Sequence, residues 1–220
     1  MTLGRSLVAE FVGTAMLLAA VVGSGVMGER LAGGNNAIAL LANTLATGAA
    51  LVALIATFAP ASGAHFNPLV TLAEALLGRC GVSRACLYLL AQVAGAIAGV
   101  VAAHLMFDLP WISTSVHVRS GPAQWWSEVV ASFGLLITIL QVAKHQPTQV
   151  PLVVGSFIAA AYWFTASTSF ANPAVTLARS LTNTFSGIRP VDVLPFIVSQ
   201  LVGALLAIGL HLWLESERER

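Results

Sequence analysis

Two Asn-Pro pairs, Asn67-Pro68 and Asn172-Pro173, and two carboxylates inside apolar runs, Glu10 and Glu128, are the residues whose types and spacing invite chemistry. Each proline opens a short apolar stretch, and proline at a first helical turn gives up no hydrogen bond. The preceding asparagine is suited to cap that turn through its side-chain oxygen, which leaves its NH2 group free to donate. A helix N-terminus carries roughly half a positive charge, so each pair offers an oriented donor at a positive end. The chain contains no nucleophile–base–acid set, phosphate-binding loop or metal motif. His65, His104, His117, His145 and His211 are scattered, and Cys80 and Cys86 are read as reduced bystanders. The expectation is therefore no enzyme, no metal and no cofactor.

Elements that position these groups must be membrane elements. Of 220 residues, 57% are hydrophobic and 9% charged, with mean hydropathy +0.86, whereas a soluble domain carries about 25% charged residues. A net charge of +1 without a basic cluster excludes a nucleic-acid partner. About 20 apolar residues span a bilayer, and six stretches qualify: 5–27, 36–59, 85–107, 125–143, 149–166 and 191–214. The stretches 68–78 and 173–183 are half as long, roughly 16 Å as helix. They read as half-helices re-entering the bilayer from Gly/Ser/Thr-rich loops. Loop backbone cannot face lipid, so these loops must line a pore or a binding site. With the N-terminus inside, Arg5, Arg79, Arg84, Lys144, Arg218 and Arg220 are cytoplasmic, against Arg30, Arg119 and Arg189 outside; both termini are expected in the cytoplasm.

An internal repeat organises the chain. Residues 62–73 and 167–178 align without a gap and share seven of twelve positions. Gln92, Gly95 and Ala96 match Gln200, Gly203 and Ala204, and Glu10 matches Glu128. Three spans per unit is odd, so the second copy enters upside down, and inverted repeats place their site near the midplane where broken helices meet. The expectation is one domain, 1–220, with repeats at about 1–107 and 125–214 and an outer loop 108–124. Facing half-helix ends would repel cations and protons, while Asn67 and Asn172 donate to a hydroxyl oxygen.

Six spans, two half-helices and the paired boxes Ser-Gly-Ala-His-Phe-Asn-Pro at 62–68 and Phe-Ala-Asn-Pro-Ala at 170–174 resemble the aquaporin, or major intrinsic protein, family. The resemblance covers Glu10 to about Leu214. It implies an all-α membrane protein, an inverted-repeat bundle with a pore in each protomer, and a homotetramer. It also implies that Glu10 and Glu128 accept hydrogen bonds from the amides of the two loops, with His65, Gln92 and Gln200 as further loop supports. Interhelical glue is the close alternative for the two glutamines.

Two departures stand out: Leu69 and Val175 occupy positions where the family usually has alanine and a pore arginine. Counting from the boxes places the family's four-residue selectivity filter on Thr47, Ala160, Ser169 and Val175. Three of these are small and none is a cation, so the inferred aperture is wide and cation exclusion falls to the half-helix dipoles. Arg179, four residues beyond Val175, is expected to face another direction. The function implied is a passive channel for water and small neutral solutes: glycerol-like polyols and undissociated metalloid acids such as arsenite. A water-selective channel and a proton-coupled secondary transporter are the alternatives, with a structural tetramer third. The location implied is the bacterial inner membrane.

Overall fold

The computed structural model describes residues 2–216. Eight α-helices follow in order: α1 Leu3–Leu31, α2 Asn36–Ser62, α3 Pro68–Leu76, α4 Val82–Met106, α5 Pro122–His145, α6 Val150–Phe164, α7 Pro173–Arg179 and α8 Pro190–Ser216. Among the described residues there is no strand. Five helices, α1, α2, α4, α5 and α8, are long and apolar enough to cross a membrane. Arg218 and Arg220, used above to orient the chain, lie outside the described residues.

The expected span 149–166 is a shorter helix, α6, of 15 residues. It begins after a 3-10 turn at Pro147–Gln149 and ends where Thr165 turns extended and bonds back to Ala161 O through both its amide and its hydroxyl. The half-helices are shorter than expected too. In α3 the amides of Arg79 and Cys80 both return to Glu74 O, around Gly78 at φ +72°. In α7 the amides of Ser180 and Leu181 tighten onto Leu177 O and Ala178 O.

Each half runs long helix, second helix, half-helix, long helix, and packs alike. Helix α1 lies against α2 and α4, while α5 lies against α6 and α8. Small residues permit this closeness, as expected for helices in lipid. A Cβ added at Gly95 or Gly99 would sit 2.3 or 2.2 Å from the Phe11 or Ala15 carbonyl oxygen on α1, and one at Gly203 would sit 2.3 Å from Val129 O on α5. Leu18, Val22, Val100 and Leu136 are fully buried in the core of the bundle. Large apolar side chains such as Leu45, Leu90, Val198 and Trp213 are instead exposed around the outside. A water-facing surface rarely carries so much apolar area; a lipid-facing one must.

Candidate functional site

The two re-entrant loops are built on one plan. Glu10, fully buried on α1, accepts at Oε1 from Ser62 Oγ (2.6 Å) and His65 N (2.9 Å), and at Oε2 from Phe66 N and Gln92 Nε2 (both 2.8 Å). Glu128, fully buried on α5, accepts from Phe170 N and Ala171 N (both 2.9 Å) and from Gln200 Nε2 (2.6 Å). Each glutamine also reaches a threonine on its half-helix, Gln92 to Thr71 Oγ1 at 2.9 Å and Gln200 to Thr176 Oγ1 at 2.8 Å. Thr71 and Thr176 are loop supports that the sequence reading passed over. They occupy one of the seven positions shared between the boxes, which was the available signal.

The loops pay for this geometry in backbone strain. Ala64 and Phe66, three and one before Asn67, have φ of 51° and 49°; Ser169 and Ala171, three and one before Asn172, have φ of 50° and 45°. Non-glycine residues in the left-handed region cost on the order of 1–3 kcal/mol each and persist where surroundings over-determine them. The carboxylates do so here. A trans peptide holds its N–H and C=O antiparallel. With the amides of 65, 66, 170 and 171 turned onto the carboxylates, the carbonyls of Ala64, His65, Ser169 and Phe170 turn the opposite way.

Both asparagines cap their half-helices: Asn67 Oδ1 accepts from Leu69 N (2.9 Å), and Asn172 Oδ1 from Ala174 N (3.0 Å) and Val175 N (3.2 Å). Their amide groups do something the sequence did not suggest. Asn67 Nδ2 donates to Ala171 O, and Asn172 Nδ2 donates to Phe66 O, each at 2.8 Å. The two loops are thereby clasped to each other, and each NH2 keeps one N–H free.

A cavity of about 100 Å3 runs past this clasp. A water needs roughly 10–15 Å3 measured this way, so the space suits a short file of waters rather than a lumen. Its wall is apolar and follows helical spacing. Leu17 and Val21 on α1, Leu51 and Ile55 on α2, and Leu135 and Ile139 on α5 are each four residues apart, with Val150, Val154, Ile158 and Tyr162 on α6. Asn67, Asn172, Ser169 and Val175 also line it, and His65 lines it beside the first loop. His65 is half-buried, its Nδ1 3.0 Å from Thr71 Oγ1 and its ring edge-on to Tyr88 at 5.2 Å.

Three expectations about the wall are corrected. Ala160 is exposed on the outside of α6; the α6 stripe passes through Ile158 and Tyr162, and a residue two positions along a helix points to the opposite side. Tyr162, not alanine, stands on the wall, and its hydroxyl lies 3.4 Å from Thr47 Oγ1. Thr47 is buried one turn beyond Leu51, behind that tyrosine rather than on the cavity. Arg179 is the third correction. Four residues from Val175, it shares Val175's face of α7 and lines the cavity. Its guanidinium stacks 3.4 Å from the Phe170 ring centroid, and its Nε donates to Ser186 O.

A second arginine supports the same ring. Arg119, from the loop between α4 and α5, lies 5.0 Å from the Phe170 centroid. It donates through Nε to Gly187 O (2.8 Å), through Nη1 to Ser167 O (3.3 Å) and through Nη2 to Phe185 O (3.4 Å). Its main-chain N–H is held by Asp192 Oδ2 at 2.9 Å. Burial lowers its pKa to about 10, which leaves it charged at neutral pH. Nearby His117 is lowered by burial and by Arg119 and Arg179. Among the described residues no group of three or more His, Cys, Asp or Glu could hold a metal.

A bilayer-spanning bundle whose lined cavity runs past two clasped half-helix loops defines a class of integral membrane proteins. The chain belongs to the major intrinsic protein family, whose family model matches residues 1–169 and 127–219. It is 58% identical over 212 residues to aquaglyceroporin AqpS of Rhizobium meliloti (strain 1021), covering 96% of this chain and 91% of that one. It is 31% identical to the probable aquaporin TIP2-2 of Oryza sativa subsp. japonica over 71% of this chain and 66% of the relative. The X-ray structure of the aquaglyceroporin from Plasmodium falciparum shares the fold, with TM-score 0.73 at 20% identity over 94% of this chain and 95% of the other.

Proposed function

We propose that this chain is a passive channel through which water and glycerol-sized neutral solutes cross the bilayer in single file past Asn67 and Asn172. The carrying observation is the clasp itself. Two capped half-helix ends meet, one amide N–H of each asparagine is committed to the opposite loop, and the other remains for a permeating oxygen. Carbonyls turned away from Glu10 and Glu128 supply acceptors, so a hydroxylic solute exchanges bonds stepwise along an otherwise apolar wall. Pro68 and Pro173 start the half-helices and hold those donors at the midplane. Supporting this reading, the similar Rhizobium meliloti protein is named an aquaglyceroporin.

Selectivity is assigned to the wall beside Asn172: Val175, Ser169 and Tyr162, with Thr47 behind the tyrosine. Ser169 lines the cavity, although its Oγ is itself buried and has no protein partner. Val175 offers no donor, so small polyols and undissociated metalloid acids such as arsenite fall within the proposed range. A homotetramer in the bacterial inner membrane, with both termini in the cytoplasm, completes the proposal. The whole chain, 1–220, acts as one channel domain.

Stopped-flow permeability of proteoliposomes to water, glycerol, urea and arsenite tests this. Non-saturating fluxes of water and glycerol, independent of a proton gradient, are expected. Water flow with glycerol excluded would leave a water-selective channel, and saturable gradient-driven uptake would leave a transporter. Val175→Arg should cut glycerol flux about tenfold or more, since one added cation and its bulk narrow the wall.

A further inference from the structure

Positive charge at the outer half of the cavity has not been lost with the arginine absent from position 175. Arg179 is 3% exposed, lines the cavity, and has no carboxylate within ion-pair distance among the described residues. Only its Nε has a protein acceptor; its two terminal nitrogens, with four N–H groups, are left for the cavity. The nearby carboxylates are committed elsewhere. Asp192 holds the Arg189 guanidinium at 2.9 and 3.0 Å and the Arg119 main-chain N–H, and Glu128 is spent on loop amides and Gln200. Arg119 stands against the same Phe170 ring, and among the described residues its guanidinium hydrogen-bonds to backbone carbonyls alone.

Burying an arginine without a counter-ion is costly, and within a membrane such a residue faces a cavity and marks an ion or solute path. Phe170 is what makes the placement tolerable, because an aromatic face attracts a guanidinium. The two shapes then separate two tasks. At position 175 a small apolar side chain leaves room for the solute, and one helical turn further along, Arg179 supplies charge and donors without filling that spot.

We infer that Arg179, backed by Arg119 across the Phe170 ring, is the cation-excluding and solute-orienting group of this channel, doing from position 179 the electrostatic work that Val175 cannot. The inference rests on the channel reading above, and its test separates the two. Proteoliposomes carrying wild type, Arg179→Gln and Arg179→Lys are compared for proton flux under an imposed pH gradient and for water flux in the same vesicles. Arg179→Gln should raise the proton-to-water flux ratio about tenfold or more, whereas Arg179→Lys keeps it near wild type, because a fixed positive charge in a pore excludes cations and protons. A wild-type ratio in Arg179→Gln overturns the inference, as does Arg179→Lys leaking like Arg179→Gln, which would make packing the cause. If Arg179→Gln does not insert, Arg119→Gln decides: a smaller rise supports the inference, and an unchanged ratio overturns it. Wild-type vesicles that pass neither water nor glycerol would sink the channel reading instead.

Discussion

The loop before Asn67 and the loop before Asn172 share a skeleton and differ in what they carry. Both hang from a buried glutamate, both place left-handed residues at the same offsets, and both end in an asparagine that clasps the other loop. Two residues before the asparagine they part: His65 in the first, Phe170 in the second. His65 bonds Thr71 and faces one end of the cavity; Phe170 supports Arg119 and Arg179 at the other. The hydrogen-bonded frame thus diverges little between the copies, because its carboxylates satisfy buried loop amides at matching positions. The position that the frame does not use was free to give each mouth its own chemistry.

The strongest way to break the comparison is to cut the shared frame. Glu10→Ala orphans two loop amides and takes a bond each from Ser62 and Gln92; Glu128→Ala orphans two amides and takes a bond from Gln200. Each unsatisfied buried group costs about 1–3 kcal/mol, so both variants should lose most of their folded protein in detergent, as read by thermal unfolding and size exclusion. Glu10→Ala should be the worse. Equal retention of fold and flux would mean that the loops hold themselves.

Next come the helix contacts that seat the frame. Gly95→Leu on α4 and Gly203→Leu on α8 drive side chains into α1 and α5 backbone, and overpacking of this kind costs roughly 1–3 kcal/mol. Thermal midpoints in detergent should fall by similar amounts in the two halves, and a large asymmetry would show that the halves are not packed alike.

Smaller effects should come from the divergent position. Phe170→Leu removes a ring face from two guanidiniums, worth about 0.5–2 kcal/mol, and should lower stability. His65→Phe forfeits one hydrogen bond, about 1 kcal/mol, and should leave the charge at the other mouth untouched. Smallest of all, Ala160→Ser, on the exposed side of α6, should leave glycerol flux at its wild-type value; a marked change would return that residue to the wall.

Much of this was readable in the chain because the repeat reports pairs. Glu10 with Glu128, Gln92 with Gln200, and the two Asn-Pro boxes each stand as duplicates, and a duplicate polar group in an apolar span is a strong constraint. The half-helices were legible for the same reason, although their C-terminal ends were not, since those depend on local turns at Gly78 and Ser180. Counting along the chain misplaced Ala160, where the four-residue stripe Val150-Val154-Ile158-Tyr162 would have given the tyrosine. The same spacing ties Arg179 to Val175. Arg119 had no such signal. Its partners, Ser167, Phe185 and Gly187, lie 48 to 68 residues away in sequence, and no periodicity connects an irregular loop to another.

The clasp between Asn67 and Ala171 sets an order of events during synthesis. Its partners are 104 residues apart, and those of the reciprocal bond 106. At about 5–20 residues per second the first loop emerges roughly 5–20 s before the carbonyl it must bind. For that interval the Asn67 amide has no partner of its own kind, so the first four helices must wait in the membrane with an unsealed, hydrated notch. The conduit comes into being only when the second half arrives, and a ribosome stalled between the two boxes would release a half that cannot complete its wall.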